Sequence, residues 1–519
     1  MRQIIKLKFQ ITHQITTKKI SFVAHKIQLK LSMMSNDILG LKPEKMWKYF
    51  YEITQVPRPS KKEEKIRQYL VDFGKKFNLE TIVDEIGNVL IRKPATAGYE
   101  NRKTVVLQSH MDMVCEKNSD IDFDFDNDAI QTKVEGEWLK AVGTTLGADD
   151  GIGIAAALAI LDDNEIEHPA IEALFTMDEE TGLTGAFGLS TDLLKGSILL
   201  NLDSEDEGEV FIGCAGGRDT IIELNYTSEK LATDSKTYRI DIAGLNGGHS
   251  GDDIHKGYAN ANKLLNRILW QANKDFGIGL CNFDGGNLRN AIAREAFAIV
   301  TVTPENTNKL EELVNKFEGI FKSEYHKTEP KLTAKIEVCE APSTQIDSDT
   351  FAKLTNSLYA CPHGVIAWSQ DIDNFVETST NLASVKFKDG KIVITTSQRS
   401  SVGSALDNNC NMVAATFATV GANVIHTDGY PGWTPNPNSE ILEVAKESYV
   451  SLFKKEPKVL AIHAGLECGL IGEKYPEMDM ISFGPTIKGA HSPDERILID
   501  TATMFWDYLI DILKRTPLK

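Results

Sequence analysis

Hydrophobic and polar positions along the chain change their period at two places. In "PSKKEEKIRQYLVDFGKKF" (59–77), Ile66, Leu70 and Phe73 recur at helical spacing. Ser60 followed by Glu63 has the form of a capping box, which predicts a helix starting there. Strand-like runs follow in "ETIVDEIGNVLIRK", "TVVLQS", "AIEALFT" and "SILLNL", and the apolar run from Ile152 to Leu161 reads as a buried helix. Short apolar strands alternating with helices predict an α/β layer fold with a largely covered sheet.

From about 217 to 430 the pattern shifts to longer amphipathic helices, such as "ANANKLLNRILWQANK" and "NTNKLEELVNKFEGIFKSEY", set between alternating strands such as "KTYRIDIAGL" and "KFKDGKIVITTS". That is the signature of a separate α+β domain. The Pro- and Gly-rich "DGYPGWTPNPNS" (428–439) reads as a crossing loop. Beyond it, "ILEVAKESYVSLF", "PKVLAIHAG" and "MDMISFGP" return to the α/β style, so one domain is expected to be interrupted by an insertion. The expected boundaries are 1–34, 35–216, 217–431 and 432–519.

Composition narrows the function classes. With 42% hydrophobic and 25% charged residues, the 519-residue chain is ordinary for a globular protein of two or three domains. A formal charge of −18 argues against nucleic acid as a partner, because such binding relies on basic patches that release counterions. No apolar run reaches the length of a membrane span, so no membrane partner is expected. The seven cysteines are scattered and show no CxxC pairing, as expected of reduced thiols in the cytoplasm. Residues 1–34 stand apart, with seven Lys or Arg and no acidic residue. They read as an organelle presequence, a disordered arm, or translated upstream sequence before a start at Met33 or Met34. One Arg and two Ser are few for a transit peptide, which favours the last of these.

Five motifs carry candidate chemistry. "VVLQSHMDMV" sets His110 and Asp112 two apart at a strand end, on one side of an extended backbone. A carboxylate there would orient the imidazole and make it a better metal ligand. "GTTLGADDGIGIA" puts Asp149 and Asp150 side by side before the apolar run, where an Asp can cap the helix or a cation must relieve the repulsion. "LFTMDEETG" offers Glu179 and Glu180, whose side chains diverge, so that one can bind a metal while the other faces substrate as a base. "ILLNLDSEDEGE" offers Asp203, and "GPTIKGAHSPDE" offers His491. Together they fit one balance of charge: Asp149, Glu180, Asp203 and a hydroxide neutralise two divalent ions, with neutral His110 and His491 completing the shell. Imidazole and carboxylate without thiolate suit catalytic zinc, with manganese or cobalt as alternatives. Asp149 would then bridge the ions and Asp150 would point away.

Long strings around these motifs, including "GTTLGADDGIGIA", "TMDEETGLTGAFGL", "NGGHSGDDIHKGYANANKLL", "IHAGLECGL" and "GPTIKGAHSPDE", resemble the aminoacyl-histidine dipeptidases, within the dizinc exopeptidase family that includes carnosinases and aminoacylases. The resemblance runs from about residue 36 to the last residue. It implies a catalytic domain with a mixed sheet flanked by helices and an inserted lid. It implies two divalent ions, zinc first, held by His110, Asp149, Glu180, Asp203 and His491, and a cis peptide after Asp149. Asp112 would clamp the His110 ring and Glu179 would be the general base. In the lid, His249 would stabilise the oxyanion, while Arg399 and Asn290 would bind substrate, Arg399 at its C-terminal carboxylate. His463 and Glu467 are candidates for the specificity pocket. Two positions depart from the family pattern: Asp150, where Asn is frequent, and Ala293, where Pro is common.

The implied activity is hydrolysis of dipeptides, preferentially Xaa-His and carnosine-like substrates, by a cytoplasmic enzyme. Dimerisation is a further expectation from the resemblance. A broader dipeptidase, an N-acyl amino acid deacylase and a catalytically silent scaffold are the competing readings.

Overall fold

The computed structural model describes residues 38–519, so the basic segment 1–34 and its three readings lie outside the described residues. The chain forms two compact units. The first holds 38–212, 437–459 and 474–519, and the second holds 213–436 and 460–473. The second unit thus includes the short stretch 460–473, which the sequence pattern groups with the returning α/β part.

The first unit is built on strands β1 (Glu80–Val83), β2 (Val89–Lys93), β3 (Val105–His110), β4 (Ile171–Thr176), β5 (Ile198–Asn201), β6 (Glu209–Cys214), β7 (Lys458–Ile462) and β8 (Asp479–Ser482), in the sheet order β1-β2-β4-β3-β5-β8-β6-β7. The sheet is mixed. β3 runs parallel to both β4 and β5, and β8 runs parallel to β5, while β2 meets β4 antiparallel. All residues of β3, β4 and β5 are buried, which accounts for the predominance of apolar residues in them.

Helix α1 (Glu44–Thr54) is amphipathic and buries Met46, Trp47, Phe50 and Ile53, and α2 (Glu64–Lys76) buries Ile66, Leu70 and Phe73 as the spacing predicts. Helix α2 starts later than the capping-box reading implies: Glu63 is its N-cap, and Ser60 bonds elsewhere. Helix α3 (Ala148–Leu161) is buried from Asp150 onward, so it shows no polar face. Carboxyl-terminal helices α4 (Glu440–Phe453) and α5 (Ile499–Arg515) pack through Tyr449 and Tyr508.

The second unit is an antiparallel nine-stranded sheet with the strands Val376–Lys388, Lys391–Ser400 and Gly216–Asn225 adjacent in it. Helix Ala261–Phe276 buries Leu264, Leu265, Ile268 and Leu269 in the core of this unit, and the Asn260 side chain caps it by accepting from the Lys263 N–H. The loop at 428–439 is tied down by bridges between Gly217 and Tyr430 and between Cys214 and Trp433. Among the described residues, no helix is long and apolar enough to cross a membrane.

Candidate metal centre and substrate-binding groups

The carboxyl ends of β3, β4 and β5 point the same way, since His110 pairs with Thr176 and Gln108 with Asn201 in parallel register. The residues that follow these strands therefore collect at one edge, where ligands of α/β sheets bind. His110 ends β3, Glu179 and Glu180 follow β4, and Asp203 follows β5, while His491 lies beyond β8.

Asp149 stands at the centre. Its Oδ1 lies 3.0 Å from His110 Nε2, which in turn lies 3.4 Å from Asp203 Oδ1. Its Oδ2 lies 3.2 Å from His491 Nε2, which lies 3.0 Å from Glu180 Oε2. Each oxygen of one carboxylate thus faces its own pair of imidazole and carboxylate. His110, Asp149 and Glu180 also bring ligand atoms within 4.8 Å of one another, as a metal requires.

The two aspartates of the motif divide its two readings. The peptide between Asp149 and Asp150 is cis, and Asp150 turns into the protein, where its Oδ1 accepts from the Gly153 N–H at 3.1 Å in the manner of a helix cap. Burial, with the negative Asp149 adding to it, pushes the Asp150 carboxyl up to about 7.

Charge at the site is strongly polarised. Burial raises Asp149 in pKa, but bonds to His110 and His491 outweigh it and hold the carboxyl well below the usual range. Bonds to Asp149 and Glu180 lift His491 to about 11. Burial lowers His110, yet Asp203, Asp112 and Asp149 together raise it well above its ordinary value. Asp203 is raised by burial. Glu180 Oε1 is buried without a hydrogen-bond partner. Two imidazoles held among three carboxylates, with a carboxylate oxygen left over, are a donor set that divalent cations fit, because metal would replace the protons these histidines otherwise take.

Asp112 sits behind His110, with Oδ1 3.4 Å from Nδ1. Burial opposes its charge, but His110, Ser60 Oγ at 2.7 Å and the Glu179 N–H at 3.0 Å hold its carboxyl at about 2. It also accepts from the Glu180 N–H, and so it fixes the backbone of both glutamates. Asp178, with a left-handed φ of 49°, accepts from the Thr181 and Thr184 hydroxyls, and its own N–H donates to Glu63 Oε1.

Several of these supports escape the sequence reading. Arg58, Ser60 and Glu63 lie in "PRPSKKE", a stretch that reads as helix punctuation. Glu495 lies inside the "GAHSPDE" string but has no role in the balance of charge drawn from it. That balance also leaves out the buried Asp112 and Asp150 and the half-buried Glu205, of which Glu205 is pushed up to about 7 by desolvation and by Asp149.

The second unit brings its own candidate groups together. The backbone N–H groups of Gly251 and Asp252 lie 3.3 and 3.2 Å from His249 Nδ1, and Asp252 Oδ2 lies 3.2 Å from the same nitrogen. His249 bridges to Ala291, and the Asn290 carbonyl accepts from the Ser250 N–H. Both residues line one cavity of about 590 Å³, together with Leu288 and Ala293. Ala293 is buried, and its carbonyl accepts from the Ala261 N–H.

Arg399 is only 7% exposed and donates to Tyr430 Oη at 3.1 Å, and its Nε has no hydrogen-bond partner. A buried guanidinium with a donor to spare is suited to a carboxylate. The Tyr430 ring lies against two glycines, since a Cβ on Gly217 or on Gly465 would come within 2.7 Å of it. His463 is also buried, with Nε2 2.7 Å from Ser379 Oγ; burial and the charge of Arg399 lower it to about 3, so it is neutral. Glu467 is fully buried in the same unit.

The fold, with its candidate ligands at the carboxyl edge of a mixed sheet, is that of a metallopeptidase. A family model for peptidase family M20/M25/M40 matches residues 106–515, and the chain belongs to this family. It is 44% identical over 487 residues to the cytosol non-specific dipeptidase of Escherichia coli (strain K12), a match that covers 93% of this chain and 100% of that protein. The crystal structure of aminoacylhistidine dipeptidase from Vibrio alginolyticus is also 44% identical, superposes with a TM-score of 0.89, and matches over 93% of this chain and 98% of that one. The aminopeptidase PepT of Bacillus cereus shares the fold at 15% identity and a TM-score of 0.53, over 92% of this chain and 99% of its own. The chain is therefore a metal-dependent hydrolase of the peptidase class, akin in sequence to dipeptidases.

Proposed function

We propose that the protein hydrolyses dipeptides in the cytoplasm, Xaa-His and carnosine-like substrates among them, at a dinuclear metal centre. The observation that carries this reading is the placement of Asp149, whose two oxygens face His110 with Asp203 on one side and His491 with Glu180 on the other. Two divalent ions, zinc first and manganese or cobalt as alternatives, would supply a Lewis acid for the scissile carbonyl and lower the pKa of water toward neutrality. Glu179, on the peptide next to Glu180 and anchored through its N–H to Asp112, takes the proton from the attacking water and passes it to the leaving amine. Asp112 keeps the His110 ring turned so that Nε2 faces Asp149.

In the second unit, His249, whose ring is anchored at Nδ1 beside the Asp252 carboxylate, is the group we assign to the developing oxyanion. Arg399 is assigned to the C-terminal carboxylate of the substrate and Asn290 to its backbone. The small peptide is the expected partner, with neither nucleic acid nor membrane, and a homodimer is the expected assembly.

The name of the Escherichia coli relative indicates broad dipeptide specificity and that of the Vibrio alginolyticus relative an Xaa-His preference. A panel of Xaa-His and Xaa-non-His dipeptides, carnosine and N-acyl amino acids, assayed after metal reconstitution and with chelator controls, separates them. Metal-dependent cleavage favouring Xaa-His supports the preference, even cleavage across the panel discards it, and cleavage of N-acyl amino acids alone identifies a deacylase. Glu179→Gln should lower kcat by roughly 10²–10⁴-fold while bound metal stays at the wild-type level, and unchanged turnover would remove Glu179 from the mechanism.

A further inference from the structure

Three of the loops that carry the candidate ligands are joined through one short run of backbone, residues 146–149. Arg58, only 2% exposed, donates through Nη1 to the carbonyls of Met111, at 3.0 Å, and Asp112, in the loop that follows His110. Its Nη2 donates to the Gly147 carbonyl. Among the described residues it forms no ion pair within 4 Å, and its guanidinium is held by these backbone oxygens. From the other side, Glu495, also 2% exposed, accepts from four consecutive N–H groups. Its Oε2 takes those of Leu146 and Gly147 at 2.7 and 2.9 Å, and its Oε1 takes those of Ala148 and Asp149 at 2.7 and 3.3 Å. Glu495 lies four residues beyond His491.

The glycines of the motif fit this arrangement. Gly147 has a left-handed φ of 70°, and a Cβ on Gly147 or Gly151 would come within 2.6 or 2.8 Å of the Arg58 guanidinium. A planar fork, whose donors sit on separate nitrogens, fills that space and reaches carbonyls of two loops at once. Glu495 meanwhile satisfies the free donors leading into α3 that a helix start leaves exposed.

We propose that Arg58 and Glu495 are positioning residues that together set the distance between the two metal sites. Arg58 ties the His110 loop to the Asp149 loop, and Glu495 ties the Asp149 loop to the His491 loop. The Asp149 carboxylate is thereby held with one oxygen toward each half of the site. The proposal rests on the dinuclear reading above. Loosening either tie leaves each half with its own imidazole and carboxylate but misaims the shared one, so the second ion is the one that suffers.

The test is a cobalt titration of the metal-free full-length protein, followed by d–d absorption, with zinc affinity measured against a chromophoric chelator. Arg58→Lys and Glu495→Gln are compared with Glu172→Gln. Glu172 is a buried carboxylate as well, bonded to Arg92 and to the Lys195 and Gly196 N–H groups, but it lies toward the amino end of β4, away from His110. Wild type should take up two equivalents; if it takes up only one, the dinuclear reading falls and this proposal with it. Arg58→Lys and Glu495→Gln should bind the first ion within about 3-fold of wild type and the second roughly 10–100-fold more weakly, with an altered cobalt spectrum. Glu172→Gln should melt earlier yet bind two ions normally. Normal binding of both ions by Arg58→Lys and Glu495→Gln would overturn the proposal, and so would an equal loss in Glu172→Gln. Failure of Arg58→Lys and Glu495→Gln to fold, with Glu172→Gln folded, would also overturn it, since the pair would then serve the fold and not the metal spacing.

Discussion

Arg399 is a buried cation with no carboxylate in contact among the described residues, and the Tyr430 hydroxyl holds one arm of its fork. If the other arm receives the substrate carboxylate, Arg399→Lys should raise KM for dipeptides by roughly 10–150-fold, the equivalent of about 1.5–3 kcal/mol for a bond to a charged group. Tyr430→Phe keeps the ring packed between Gly217 and Gly465 and removes the hydroxyl alone. Its expected effect is about a 5-fold rise in KM with kcat unchanged, the cost of about 1 kcal/mol for a neutral bond. Steady-state kinetics on one good dipeptide checks both, and a fall in kcat at constant KM would contradict the assignment. At this scale the sequence shows the candidate ligands well, because His110, Asp149, Glu180, Asp203 and His491 each carry a distinctive side chain in a long motif. It hides their supports. Arg58 and Glu495 act on backbone groups 53 to 349 residues away, and a backbone carbonyl or N–H leaves no mark in the sequence.

Among the elements, α3 bears the most on the site, since Asp149 and Asp150 stand at its start and its body is buried throughout. Leu158, fully buried at mid-helix, offers a test of how far packing and chemistry are coupled. Leu158→Ala should cost ~2–5 kcal/mol, seen as a lower denaturation midpoint, with metal stoichiometry unchanged. Loss of an ion would show that the cavity reaches the ligand loop. Periodicity makes the apolar strands and this helix legible. It misplaces the start of α2, because Ser60 and Glu63 match a capping box in spacing while their side chains bond to Asp112 and to the Asp178 N–H. It also merges two strands into one run, since the turn at Asp84 is made by its carboxylate accepting from the Ile86, Gly87 and Asn88 N–H groups.

For the whole molecule, stability must respond to acid through buried neutral imidazoles. His463 is lowered to about 3 by burial and by Arg399. An unfolded histidine titrates near ~6.5, so between these values the unfolded chain holds more protons than the folded one. The stability His463 contributes is complete above about pH 6.5 and drains as pH falls toward about 3. His463→Asn should therefore flatten the slope of unfolding free energy against pH in that window by up to ~1 proton, measured by denaturant titration. An unchanged slope would mean that His463 is charged in the folded protein. The two-unit plan is legible as a change of period near residue 217, but the membership of 460–473 is not, because an apolar stretch of that length fits either unit equally well.

Strand β8 lies inside the sheet, between β5 and β6, although 277 residues of sequence separate Asn201 from Asp479. During synthesis, a ribosome has already released every other strand of that sheet before β8 appears. Until then the buried apolar residues of β5 have one open flank, with its N–H and C=O groups unpaired, the kind of edge to which stray chains add. The fold thus delays closure of its central layer until the chain has been made as far as Ser482. Shielding that flank falls in the meantime to cellular factors that hold nascent chains apart.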